Sequence, residues 1–172
     1  AMAGCSHVAH VASPLPANAP KSDDELIIPA REGALRALRF AHAAGVKRFV
    51  MTSSVAAISY GHRDQTHFTE ADWTDVASPD AYAYVKSKTL AERAARNWVA
   101  ANGAGMDYCT VNPSLVLGPL LTQDFSTSLE AIKKLISNKD IHFIFAGPGK
   151  LPEFRFPKES FSCLGYVNNN IA

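Results

Sequence analysis

Residues 24–54, DELIIPAREGALRALRFAHAAGVKRFVMTSS, decide the fold class. From Asp24 to Ala44, Ile27, Ala30, Ala34, Leu35, Leu38 and Ala41 recur at helical spacing, opposite Arg31, Arg36 and Arg39. The spacing predicts an amphipathic helix, and Gly45 supplies a left-handed stop. Arg48–Thr52 then reads as a short apolar strand that ends on Ser53-Ser54.

The same alternation extends outward. Upstream, Val8–Ala12 is an apolar run closed by Ser13-Pro14, a strand entering a loop. Downstream, Gly61–Pro79 is polar and turn-rich, a long loop of the kind that often carries function. Asp80 is placed to cap a second helix that runs to about Asn102, with Val85, Thr89, Ala94, Ala95, Trp98 and Ala101 along one side and Gly103 beyond its end. Met106–Val111 forms a third strand, stopped by Asn112-Pro113. Beyond a Gly118-Pro119 turn, Thr127–Asn138 has helical spacing, His142–Ala146 is strand-like and Gly147-Pro148-Gly149 is a loop. Strand-like runs alternating with long helices mean an α/β fold with a parallel sheet.

The 172 residues, 47% of them hydrophobic, suffice for one real core. A net charge of +1 spread over scattered Lys and Arg gives no footprint for nucleic acid or an anionic membrane, so the expected partner is small. No apolar run approaches the roughly 18 residues of a membrane span, and a cytoplasmic protein is expected. Cys5, Cys109 and Cys163 are odd in number and widely spaced, which argues for reduced thiols. Six histidines lack carboxylate or cysteine neighbours at ligand spacing, so no metal is expected, and His10 reads as a strand residue.

The chemistry-bearing residues come in a fixed order: Thr52-Ser53-Ser54 at a strand end, Tyr84-Val85-Lys86-Ser87-Lys88 on a helix, and Asn112-Pro113-Ser114 after the next strand. Residues i and i+4 share a helix face, so a phenol and an ammonium at that spacing can serve one site. A free tyrosine, with a pKa near 10, exchanges protons poorly at neutral pH, and a neighbouring cation favours the phenolate needed for general acid/base work. Tyr84/Lys88 and Tyr82/Lys86 both satisfy the spacing. A hydroxyl at the carboxyl end of a parallel strand, such as Ser54, stands where ligands bind in open α/β sheets. Trp73 either lines a substrate pocket or packs the loop on the core; Trp98 is a core residue.

Phe49–Ser54, Tyr84–Lys88 followed by Leu90-Ala91-Glu92, and Val111–Pro119 together resemble the NAD-dependent epimerase/dehydratase family of extended short-chain dehydrogenases/reductases. The dihydroflavonol-reductase-like, aldehyde-reductase branch is most similar, through His10–Pro14, Pro29–Gly33 and Phe68–Trp73 as well, and the resemblance covers roughly Val8 to Ile136. It implies Tyr84 as proton donor, Lys88 as the group that binds the nicotinamide ribose and tunes Tyr84, and Ser54 as the holder of the carbonyl oxygen. Ser87 before Lys88 fits the family pattern, which selects Tyr84 over Tyr82. The same resemblance assigns Ala12, Ser13, Thr52, Ser53, Pro113 and Ser114, with Tyr84 and Lys88, to cofactor binding. The cofactor implied is NAD or NADP, NADP being favoured, and the substrate a small aldehyde or ketone.

The family also has a strand and a glycine-rich turn onto a helix at its start, and no GxxGxxG pattern occurs in these 172 residues. The expected architecture is therefore a partial Rossmann-like, doubly wound parallel sheet lacking its first three strands, over residues 1–172, with residues 118–172 beginning the substrate-binding lobe. Dinucleotide binding by this chain is expected to be weak, and a homodimer through the exposed amino-terminal strand edge is expected. Rival readings are a truncated, catalytically silent fragment that assembles without turnover, a sugar-nucleotide epimerase or dehydratase, and a redox-sensing regulator.

Overall fold

The computed structural model describes residues 2–15, 20–116, 128, 130, 143–146 and 161–165. They fall into two compact units, Ala1–Ser114 and Leu115–Ala172. In the first unit the chain runs β1 (His7–His10), α1 (Asp24–Ala43), β2 (Arg48–Thr52), a 3-10 turn (Val55–Ala57), α2 (Ala83–Asn102) and β3 (Asp107–Val111). The three strands are parallel in the order β1-β2-β3, with Val8 beside Phe49 and Phe49 beside Tyr108. This is the parallel α/β sheet that the alternation predicts. The second unit contains a parallel pair, β4 (Phe143–Ala146) and β5 (Phe161–Gly165). Apart from residues 128 and 130, the helix expected over Thr127–Asn138 lies outside the described residues, as do the Gly118-Pro119 turn and the Gly147-Pro148-Gly149 loop.

One face of the first sheet carries the core. Ala30, Ala34, Leu38 and Ala41 of α1, Phe49 and Met51 of β2, and Ala91 and Ala95 of α2 form one buried cluster, closed by Val46 and Met106. Alanines on both helices let them lie close to each other and to the sheet. Side chains alternate across a strand, so the opposite face shows His7, Ala9, Arg48, Val50, Asp107, Cys109 and Val111, exposed or half-buried. β1 stands at the outer position of this sheet and is shorter than the expected Val8–Ala12; Ala12 and Ser13 lie beyond it in coil.

Gly45 ends α1 with φ +73° as its position demands. The second helix begins differently from expectation: Tyr82, in extended conformation, is the N-cap and makes no side-chain cap bond, so Asp80 does not cap it. Ala81 N–H is bonded to the Ser78 carbonyl and Tyr82 N–H to the Asp80 carbonyl, so a turn places Asp80 outside the helix.

The long loop is irregular yet tightly tied. Thr74, 2% exposed, donates its N–H to the Ala57 carbonyl at 2.9 Å and its hydroxyl to the Ala56 carbonyl at 2.7 Å, and accepts Tyr60 N–H at 3.0 Å. Gly61 sits where only glycine fits: φ is +85°, and a Cβ would come within 2.9 Å of Asp75 Cβ and Ser78 Cβ. Gly105 has a similar φ of +81° with open space around it. Both Gly→Ala changes should therefore cost about 1 kcal/mol for the left-handed backbone, and Gly61→Ala about 1–3 kcal/mol more for the clash. Urea unfolding midpoints of the two variants, compared at equal slope, measure the difference; equal midpoints would exclude the clash.

Candidate active site

The site forms at the carboxyl edge of the first sheet, where the parallel ladder runs out. Ser53 N–H bonds the Val111 carbonyl at 2.8 Å and Val55 N–H the Pro113 carbonyl at 3.0 Å, so β2 and β3 stay paired for a few residues past their ends. Between them Ser54, extended and buried, caps the 3-10 turn: Ala56 N–H donates to Ser54 Oγ at 3.1 Å. An Oγ that accepts this bond keeps its own proton available to an incoming oxygen. The turn meets the start of α2, because Ala56, Ala81 and Val85 pack together with Tyr60 and Tyr84 against them.

Tyr84 and Lys88 lie one turn apart on α2. Lys88 is 8% exposed, and its Nζ lies 5.7 Å from the centroid of the Tyr84 ring. No carboxylate among the described residues pairs with this ammonium. Burial pushes Lys88 below the ordinary lysine range. The other candidate pair is dispersed: Lys86 Nζ donates to Asp23 Oδ2 at 2.7 Å, joining α2 to the start of α1. Tyr82 is pushed up to about 12, by burial first and then by Tyr60, and its ring is edge-on to Tyr60 at 6.0 Å.

The remaining candidates are distributed along the same edge. Thr52 ends β2 and is half-buried; Ala12 and Ser13 follow β1; Pro113 and Ser114 follow β3. Ser53 is buried, and its hydroxyl finds no hydrogen-bond partner among the described residues. His10, at the end of β1, packs its ring tilted against Phe49, with centroids 5.9 Å apart. Burial, and then the charge of Lys88, hold it below the ordinary histidine value.

The sequence reading gave no role to Glu92 or to its partners Arg96 and Thr110. Glu92, 2% exposed, takes hydrogen bonds from Arg96, Thr110 and Asn112. Asn112 also reaches the Ser54 carbonyl at 3.1 Å. The signal was available in part, since Glu92 falls one turn beyond Lys88 on the helix face that turns to the sheet. Trp73 packs on α2, with the Arg93 and Arg96 guanidiniums 5.4 and 5.6 Å from its ring. Among the described residues no group of three or more His, Cys, Asp or Glu side chains is placed to hold a metal, and no helix is long and apolar enough to cross a membrane.

Residues 1–150 match the family described as NAD dependent epimerase/dehydratase family. A cinnamoyl-CoA reductase of Medicago truncatula is 41% identical over 143 residues, covering 78% of this chain and 42% of the relative. A dihydroflavonol 4-reductase of Hordeum vulgare is 34% identical over 149 residues, covering 83% of this chain and 42% of the relative. Among solved structures, yeast methylglyoxal/isovaleraldehyde reductase complexed with NADPH superposes with a TM-score of 0.65 at 29% identity, over 77% of this chain and 44% of that one. The chain thus spans about two fifths of the length of the curated relatives it matches.

The lowered value of His10 has a consequence for stability. Between the folded value and the ordinary histidine value of 6.5, the unfolded chain binds the proton that the folded chain resists, so stability falls as pH drops through that window and is flat above it. His10→Asn should remove this slope. Thermal melts of both proteins from about pH 7.5 to about pH 5 should show the wild type losing more than the variant; parallel curves would contradict the burial of His10.

Proposed function

The chain belongs to the NAD dependent epimerase/dehydratase family, and from that membership we propose that it carries the proton-transfer side of a reductase site for an aldehyde or ketone. The observation that carries the reading is the buried Lys88 ammonium set beside the Tyr84 ring, on the helix turn that packs against the Ser54-capped turn. Two further observations fit a dinucleotide at this edge: a buried cation without a carboxylate partner among the described residues, and the orphaned Ser53 hydroxyl. Lys88 would hold the ribose, with Ser53 and the Ala12-Ser13 and Pro113-Ser114 segments around the cofactor. NADPH in the yeast reductase supports NADP as the preferred form.

When bound, the nicotinamide supplies the hydride. The chain's own residues do the rest. Ser54 donates its free hydroxyl proton as a hydrogen bond to the carbonyl oxygen, which fixes the oxygen and favours the charge that grows on it. Tyr84 gives its phenolic proton to that oxygen, and the Lys88 cation stabilises the phenolate left behind. Reductases among the relatives favour reduction over epimerisation as the reaction.

Activity is tested with NADPH or NADH and a panel of aldehydes and ketones, following cofactor oxidation by the protein that carries this chain. Tyr84→Phe should lower kcat/KM by about 100-fold or more, whereas Tyr82→Phe should stay within about threefold of wild type. Equal losses in the two variants would transfer the role away from Tyr84, and absence of any oxidation across the panel would overturn the reductase reading.

A further inference from the structure

The most unusual buried group in the first unit is a carboxylate that the proton-transfer chemistry does not use. Glu92 Oε1 accepts Arg96 Nε at 2.9 Å and the Thr110 hydroxyl at 3.1 Å, while Oε2 accepts Asn112 Nδ2 at 2.9 Å. Arg96 also donates to Thr110 Oγ1 at 2.9 Å. Such a cluster is a poor way to stabilise a fold, because desolvating the charges offsets most of their attraction and well-packed apolar residues do as well or better. Its geometry is more informative. The second N–H of Asn112 reaches the Ser54 carbonyl at 3.1 Å, so both hydrogens of one amide are committed, one to α2 and one to the turn.

The other arm of the cluster ends at the same turn. Arg96 lies over the Trp73 ring, and the next residue, Thr74, bonds the Ala56 and Ala57 carbonyls. The connections therefore close: Glu92 to Asn112 to Ser54 on one side, and Glu92 to Arg96 to Trp73-Thr74 to Ala56-Ala57 on the other. Ser54–Ala57 is clamped between them. We propose that Glu92 is a positioning residue, which through Asn112 and Arg96 fixes the Ser54 turn and so holds the Ser54 hydroxyl in its capped orientation, with its proton directed outward.

A residue of this kind acts on one turn rather than on the fold. Glu92→Gln keeps size and one acceptor, but the amide nitrogen that replaces a carboxylate oxygen either confronts the Asn112 donor or gives up Arg96. Asn112→Leu keeps volume and removes both donors. The test is amide hydrogen exchange by NMR on the whole chain of 172 residues. In both variants the Ala56 amide, which bonds Ser54 Oγ, should exchange about tenfold faster or more, while Leu38 in the core stays within about twofold of wild type. An unchanged Ala56 in both variants overturns the proposal, and so does an acceleration at Leu38 equal to that at Ala56, which marks a merely structural role.

The kinetic arm rests on the reductase reading above. There Glu92→Gln should lower kcat about tenfold or more with KM for the carbonyl substrate within about twofold, and a change confined to KM counts against the proposal. Should the wild-type protein reduce no carbonyl, the reductase reading fails while the exchange measurement still decides the role of Glu92.

Discussion

A parallel sheet leaves its carboxyl edge with backbone groups that the ladder no longer pairs, and burial makes each unpaired group costly. The first unit meets this constraint within a few residues. The Val111 and Pro113 carbonyls take Ser53 and Val55 N–H, the Ser54 carbonyl takes both Ala57 N–H and the Asn112 amide, and Ser54 Oγ takes Ala56 N–H. With its carbonyl and its side-chain oxygen both engaged, Ser54 has few rotations left. Everything at the site is built on that immobility, since α2 packs its first turn on Ala56 and the long loop hangs from Ala56 and Ala57.

Immobility of the turn matters because charge at this edge is sorted by position. Lys86 and Lys88 are offset by two residues on one helix, a rotation of roughly 200°. Lys88 turns inward and is buried beside the Tyr84 ring; Lys86 turns toward α1 and is taken up by Asp23 at 2.7 Å. The burial that lowers Lys88 makes its proton less firmly held, and His10 on β1 is lowered first by its own burial and then by the same cation. Tyr82 shifts the other way: partial burial, with Tyr60 beside it, favours its neutral form, although the residue as a whole is 56% exposed.

How legible these features were depended on whether they were written locally. The helix at Asp24–Ala43, its glycine stop and the strand at Arg48–Thr52 follow from periodicity and φ preference, which neighbouring residues carry among themselves. The candidate residues were legible through their order along the chain. Glu92 was not, because a carboxylate on an amphipathic helix is normally solvated, and only the return of Thr110 and Asn112 from eighteen and twenty residues further on makes its burial tolerable. Asp80 was misread for a related reason: its side chain suits a cap, but bonds from Ala81 and Tyr82 set the helix start beyond it. The strand at Phe161–Gly165 escaped notice because its partner, Phe143–Ala146, supplies the pairing that its own sequence only weakly specifies.

Trp73 shows how a loop without regular structure becomes part of the scaffold. Pocket lining and core packing were both open from sequence, and the Arg93 and Arg96 guanidiniums over its ring anchor the indole to α2. A planar cation on an aromatic face gains electrostatic attraction that strengthens as water is excluded. Because Arg96 is also bound to the buried Glu92, the anchor is itself held in place. Thr74 then turns that fixed point into two hydrogen bonds on the Ser54–Ala57 turn, and the tight approach of Gly61 to Asp75 and Ser78 closes the loop behind it. The loop gains its order from side chains that reach helix and turn at once, so its shape and the orientation of Ser54 are set together.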